Sequence, residues 1–303
     1  MTIAITGATG FVGQALLDEA SAQGLSLRAL TRKSQSPRAG VEWVRGDLAD
    51  KAALTSLVDG ARAVIHLAGL TTAKDAAAFE AGNVAGTLAL VEAALAAGVP
   101  RLVHVSSLAA REPELSLYGG SKARGERMVR ASGLDWTIVR PPAVYGPRDD
   151  AMFELFRSAR WGVVPAVRGG RTSLIHAEDL ARLLLALVLG GEGVSHHTFE
   201  PDDGRRGGWR QDELARAIGW AVGRARVWVP GLSRSMLEWA ARGDELLRRS
   251  KAKLTVDRAG YMAHPDWCVS DGAGVPLELW SPQVETRAGL RSTAEWYRRE
   301  GWL

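Results

Sequence analysis

Disulfide chemistry is closed to this chain. Its 303 residues include one cysteine, Cys268, so no internal disulfide can form, and a reducing, cytoplasmic setting is expected. Long apolar runs are missing too. The longest lies over residues 183–190, far short of the roughly 20 residues that cross a bilayer, and reads as a buried helix end. No basic stretch precedes the first β-prone run, so a secretory signal is not expected. Charge of one sign is scarce. A net charge of +4 over this length makes no case for nucleic acid or membrane as the main partner. The basic pair Arg205-Arg206 and the run 248–253 sit beside acids and read as solvated faces. Internal repeats are absent, and no metal-ligand set is assigned. Phenylalanine and tyrosine are few, at five and four, against eleven tryptophans. Eight of these lie beyond residue 208. They could line an aromatic or sugar pocket, but are expected to pack cores and helices.

What is present starts with TGATGFVG at residues 6–13. Ile3 and Ile5 make a short β-prone run before it, and residues 11–22 read as a helix. Gly7 lets the chain turn off the strand, where a positive φ is expected. Gly10 removes a side chain where a phosphate must approach backbone, and Gly13 lets the helix lie close on the sheet. The helix N-terminus then offers free N–H groups to a pyrophosphate. The spacing is GxxGxxG rather than GxGxxG.

Strand candidates recur at residues 25–31, 41–47, 63–69, 102–107 and 135–140. Helical stretches separate them, notably 73–97 and 118–132. This alternation predicts an α/β fold with a doubly wound parallel sheet of Rossmann type. The dinucleotide-binding domain is expected over 1–147, with returning segments near 172–200. A smaller, mainly C-terminal substrate lobe is expected over 148–303. Residues 175–179 read as a strand returning to the sheet, with Asp179 or its neighbours capping the helix that follows.

In folds that bind NAD, an acid at the end of the second strand bonds the adenosine ribose. Here residues 25–33 hold no acid and end in Thr31-Arg32-Lys33. Those cations can accommodate the 2′-phosphate of NADP, so NADP is expected, with NAD as the alternative. Asp47 follows the third strand, where it can bond the adenine amino group or cap a helix. Asp50 is the stronger cap. Leu67, Ala68 and Gly69 form a small-residue turn at the carboxyl edge of the fourth strand, where parallel sheets bind ligands.

Tyr118 and Lys122 are four apart and share a helix face. A free tyrosine, with a pKa of about 10, is a poor base at neutral pH. A neighbouring cation stabilises its phenolate. Lys122 can supply that charge and bond the nicotinamide ribose, while Tyr118 exchanges a proton with a substrate oxygen as hydride moves. A serine at the end of the preceding strand can hold the same oxygen. Ser106 and Ser107 both qualify, and they should point to opposite sides.

With these residues together, the chain resembles the extended short-chain dehydrogenase/reductases, which include the NAD(P)-dependent epimerase/dehydratases. The resemblance rests on TGATGFVG (6–13), HLAG (66–69), Ser106-Ser107, YGGSK (118–122) and RPPAVYGP (140–147). It implies Ser107 as the catalytic serine, Tyr118 as the acid/base, Lys122 as its partner and Asn83 as a helix asparagine that supports the site. Around the glycine turn it adds Thr9, Phe11, Val12 and Leu48 to the dinucleotide contacts. It places Pro141, Ala143 and Val144 at the nicotinamide end. Relatives pair through two helices, which here implies a homodimer through 74–97 and 118–132. Only ten residues separate Ser107 from Tyr118, where many members carry a longer loop, so a more open pocket or a substrate other than a nucleotide sugar is implied. Leu108-Ala109 stand where dehydratases carry an acidic pair, which disfavours dehydration. The expected function is NAD(P)-dependent hydride transfer at a secondary alcohol or carbonyl of a small molecule, as a reductase or epimerase. The alternative is a non-catalytic sensor or accessory subunit that binds NAD(P)H.

Overall fold

In the computed structural model, which describes residues 2–249, 252 and 254–303, strand β1 (Thr2–Thr6) lies inside a seven-stranded sheet. Of the basic run 248–253, Ser250, Lys251 and Lys253 fall outside the described residues. The glycine turn leads into α1 (Phe11–Ala22), followed by β2 (Ser26–Thr31), β3 (Val41–Arg45) and α2 (Lys51–Val58). Strand β4 is Ala63–His66. Helices α3 (Ala76–Phe79) and α4 (Gly86–Ala96) are joined by a π-helical turn, Glu80–Ala85. Then come β5 (Arg101–Val105), α5 (Leu117–Arg130) and β6 (Asp135–Val139).

The sheet order is His197–Phe199, β6, β5, β4, β1, β2, β3, and every pair is parallel. Parallel strands covered on both faces read as unbroken apolar runs, and all four residues of β4 are buried. Leu54, Leu57 and Val58 of α2 and Leu90 and Val91 of α4 pack with Ala4, Leu102 and Ile138 of the strands. The strand order reverses direction between β1 and β4, the crevice where open α/β sheets bind ligands.

The chain divides into two compact units. One holds Met1–Arg140, Leu180–Glu200 and Val275–Trp280, and the other holds Pro141–Asp179, Pro201–Gly274 and Ser281–Leu303. The second unit has its own core, with Tyr145, Phe156, Leu174, Trp209, Ile218, Leu290 and Tyr297 buried together.

Three local expectations are corrected. Residues 73–97 are not one α-helix, because the π turn interrupts them at Asn83. Residues 174–176 do not return to the main sheet. They pair with Ala143–Tyr145 in a separate two-stranded sheet, while His197–Phe199 extends the main one. A three-residue apolar strand carries no information about its partner, so only the fold decides. Asp179, expected with its neighbours to cap the helix that follows, is not itself at the N-cap position. It sits in the first turn of Ala177–Ala186 and accepts from the N–H groups of Gln283 (2.8 Å) and Val284 (3.0 Å). The tryptophans also divide. Trp209 is buried as expected, but Trp161, Trp228 and Trp239 are exposed.

Candidate active site

The glycine turn is tightly built. Gly7 has φ +76°, and a Cβ there would stand 2.6 Å from the Ala68 backbone nitrogen. A side chain would therefore need both a strained backbone and a displaced loop. A Cβ on Gly13 would collide with the Gly7 carbonyl and Ala8, so α1 can lie this close to the turn only with glycine there. Gly10 donates its N–H to the Gly7 carbonyl (3.0 Å) and is the N-cap of α1, with no side chain capping the helix. Thr9 and Gly10 are exposed, and Phe11 and Val12 are half-buried. The first turn of α1 thus offers backbone N–H groups on an open side, the donor set that suits a pyrophosphate.

The β1 and β4 ends are tied together. Thr6 Oγ1 lies 2.6 Å from His66 Nδ1 and accepts from the Ala68 N–H at 3.2 Å. His66 Nε2 lies 3.0 Å from Thr87 Oγ1. This positions the loop Leu67-Ala68-Gly69 beside the glycine turn. A Cβ on Gly69 would stand 3.2 Å from Asn83 Oδ1 and 3.4 Å from Lys122 Nζ. The missing side chain is what lets both groups close on this loop.

Asn83 explains the π turn. Its Oδ1 accepts from Leu70 N–H (2.6 Å), and its Nδ2 donates to the Leu70 carbonyl (2.9 Å) and to Ser121 Oγ (2.8 Å). One buried amide therefore joins the β4 loop to α5, and the widened turn accompanies this arrangement. The carbonyl of Asn83 would lie 2.6 Å from a Cβ on Gly125, so α5 also needs a glycine to approach it.

Helix α5 carries Tyr118 in its first turn. Ser116 caps it, its Oγ accepting from Gly119 N–H at 2.9 Å. Tyr118 is half-buried, its ring 6.2 Å from that of Phe79. One turn on, Lys122 is buried and donates from Nζ to the Val105 carbonyl at 2.8 Å. Burial drives its pKa down to about 8, opposed by the attraction of Glu126.

The two serines separate as strand alternation requires. Ser106 is buried, and its hydroxyl has no hydrogen-bond partner among the described residues. Ser107 is half-buried, and its Oγ accepts from Ala109 N–H at 3.1 Å. Beneath them lies a network that the motifs did not announce. Arg140 forks onto Glu126 at 2.8 and 2.7 Å, and Arg130 reaches the same carboxylate at 2.9 Å. Arg140 also pairs with Glu200 at 3.6 Å. Burial alone would raise the Glu126 pKa, yet the two arginines pull it below its usual value. The available signal was spacing, since Glu126 stands four residues after Lys122 and eight after Tyr118.

At the far end of the crevice, Arg32 and Lys33 are exposed directly after β2, where the Thr31 hydroxyl shapes the turn by donating to the Lys33 carbonyl at 2.8 Å. Asp47 accepts from Ala49 N–H (2.8 Å), and Asp50 is the cap of α2 through Ala53 N–H (3.0 Å). Leu48 packs where a side chain on Gly86 would stand. Pro141, Ala143 and Val144 belong to the second unit. Among the described residues, no helix is long and apolar enough to cross a membrane.

Comparison with known proteins agrees with this layout. Residues 3–199 match the NAD dependent epimerase/dehydratase family. The chain is 36% identical over 321 residues to a ceramide reductase of Caulobacter vibrioides, covering 99% of this chain and 96% of that protein. Among solved structures, it superposes on UDP-glucose 4-epimerase of Thermotoga maritima, solved with UDP-glucose, with a TM-score of 0.73 at 21% identity over 99% of both chains. A dTDP-glucose 4,6-dehydratase of Streptomyces venezuelae, solved with NAD, gives 0.73 at 22% identity over 100% of this chain and 98% of that one. At such identities the structural likeness is one of fold.

Proposed function

This chain belongs to the NAD dependent epimerase/dehydratase family, and from that premise we propose that it is an NADPH-preferring reductase of a ketone on a lipid-like molecule. The observation that carries the reading is the buried Lys122, held on the Val105 carbonyl one turn after Tyr118 and beside Gly69 and Asn83. A buried ammonium is costly unless it serves a charge, and the phenolate of Tyr118 is the charge it would serve. The full-length likeness to a ceramide reductase supports reduction over epimerisation and a lipid over a nucleotide sugar. So does the short stretch of ten residues between Ser107 and Tyr118, where many members of the family carry a longer loop.

The glycine cradle fits a dinucleotide. Gly7, Gly10 and Gly13 would hold the pyrophosphate on the N-terminus of α1, Arg32 and Lys33 the 2′-phosphate, and Lys122 the nicotinamide ribose. Thr9, Phe11, Val12, Leu48, Leu67 and Ala68 would line its path, with Asp47 at the adenine and Pro141, Ala143 and Val144 at the nicotinamide. When bound, the dinucleotide supplies hydride to the carbonyl carbon. Ser107 orients the carbonyl oxygen, and Tyr118 donates the proton that this oxygen takes up. Lys122 keeps the tyrosine in its working proton balance through its positive charge. Asn83 holds the β4 loop against α5, so that these groups stay in register.

The test is NADPH oxidation by the purified protein in the presence of long-chain ketones, with NADH as the comparison. Ketone-dependent oxidation of NADPH supports the reading, and failure to bind either dinucleotide overturns it. Arg32→Ala is expected to weaken NADPH by about 10- to 100-fold, the worth of one charge-assisted contact, and to leave NADH nearly unchanged. Equal losses for both would remove Arg32 from the 2′-phosphate.

A further inference from the structure

Helix Arg234–Arg248, in the second unit, has two apolar faces, and among the described residues only one of them is covered. Leu237 and Ala241 are buried against Ala259. Turned away from them, Met236, Trp239, Gly243 and Leu246 recur at i, i+3, i+7 and i+10, with Leu247 alongside. That spacing makes one continuous stripe. Its large side chains stand in solvent: Met236 is 50% exposed, Trp239 71%, Leu246 80% and Leu247 85%. Scattered exposed apolar residues mean little, but a contiguous stripe marks an interaction surface.

The charges beside the stripe say what covers it. The acids of this helix are engaged within the protein. Glu238 pairs with Arg234 at 2.9 Å, Asp244 with Arg248 at 3.1 Å, and Glu245 accepts from Val256 N–H at 2.9 Å. Arg242 borders the stripe with its guanidinium 5.6 Å from the centre of the Trp239 ring. Arg249 is exposed at the helix C-terminus. An apolar stripe of Trp, Leu and Met with an arginine border is the chemistry of a helix that lies in a membrane interface. The tryptophan sits at headgroup depth, and the cations meet anionic headgroups. A second copy is the poorer occupant, since two such faces brought together would oppose like-charged borders.

We infer that the face of helix Arg234–Arg248 bearing Met236, Trp239, Leu246 and Leu247 is a docking surface for an anionic lipid bilayer. The contact is with the surface and requires no crossing segment. It does not depend on which reaction the protein carries out.

The experiment is flotation of the full-length protein with vesicles of phosphatidylcholine containing phosphatidylglycerol, against vesicles of phosphatidylcholine alone. Wild type is expected to float with the anionic vesicles and to be released by high salt. Leu246→Ser with Leu247→Ser, and separately Arg242→Glu, should each cut the floated fraction by about tenfold. These positions are on the surface, so melting temperature and dinucleotide binding should match wild type, which separates lost docking from lost folding. Equal flotation of wild type and variants, or equal binding to neutral vesicles, would overturn the proposal. A lipid-free dimer that the Leu246→Ser/Leu247→Ser variant abolishes would also overturn it, and would give the face to a second copy.

Discussion

Tyr118→Phe is expected to lower kcat by about 10²- to 10⁴-fold, the usual worth of a positioned proton donor, while leaving dinucleotide affinity nearly unchanged. The substitution removes one hydroxyl from a half-buried ring. The ring's neighbour Phe79 and the Ser116 cap of the helix are untouched. Loss of turnover with intact binding therefore isolates the proton-transfer step from folding. Unchanged turnover would take Tyr118 out of the chemistry. The same site predicts an alkaline limit. Lys122 loses its charge as pH rises through about 8, so the phenolate loses its partner, and kcat/KM should fall above that pH. A profile flat to pH 10 would contradict the partnership of Tyr118 and Lys122.

Acid should destabilise the protein below about pH 6.5, where histidines of the unfolded chain take up protons. His66 and His104 are buried side by side, ring centres 5.1 Å apart, next to Lys122. Burial first, and the lysine charge second, bring His66 down to about 3 and His104 well below its usual value. Among the described residues, neither ring nitrogen of His104 has a hydrogen-bond partner. Above pH 6.5 both histidines are neutral in the folded and unfolded chain alike. Below it the unfolded chain takes up protons that the folded one cannot. Each histidine then removes about 1.4 kcal/mol of stability per pH unit. Asp149 works the other way, because burial raises it to about 7 and the folded state gains that proton first. The clean measurement is a difference. Urea unfolding of wild type and His104→Gln between pH 7 and 5 should give slopes that differ on average by about 1 kcal/mol per unit, with the variant the flatter. Identical slopes would mean that His104 takes up its proton in the folded state.

Much of the fold was legible in the residues because it is local. Period-two and unbroken apolar runs placed β1 to β6 to within a residue or two at most ends, and residues 11–22 are the helix that their pattern predicts. The glycine turn was legible for the same reason, since Gly7 has the positive φ expected of a glycine turning off a strand. Asp50 could be read as a cap because capping is settled within three residues. Family membership followed from such motifs taken in order.

What lay beyond local reading shares one cause, the approach of groups distant in sequence. The π turn at Asn83 accompanies bonds to Leu70, 13 residues away, and Ser121, 38 away. Which of Ser106 and Ser107 faces the Glu126–Arg140 pair depends on how α5 lies on the sheet. The partner of residues 174–176 depended on which edge was free. The usual role of large aromatic rings placed the tryptophans in cores and helix contacts. That role cannot report whether anything packs against a given ring. For Trp209 the second unit's core does, while Trp239 stays 71% exposed among the described residues, because Leu237 and Ala241 on the opposite side of its helix are the ones that pack against Ala259.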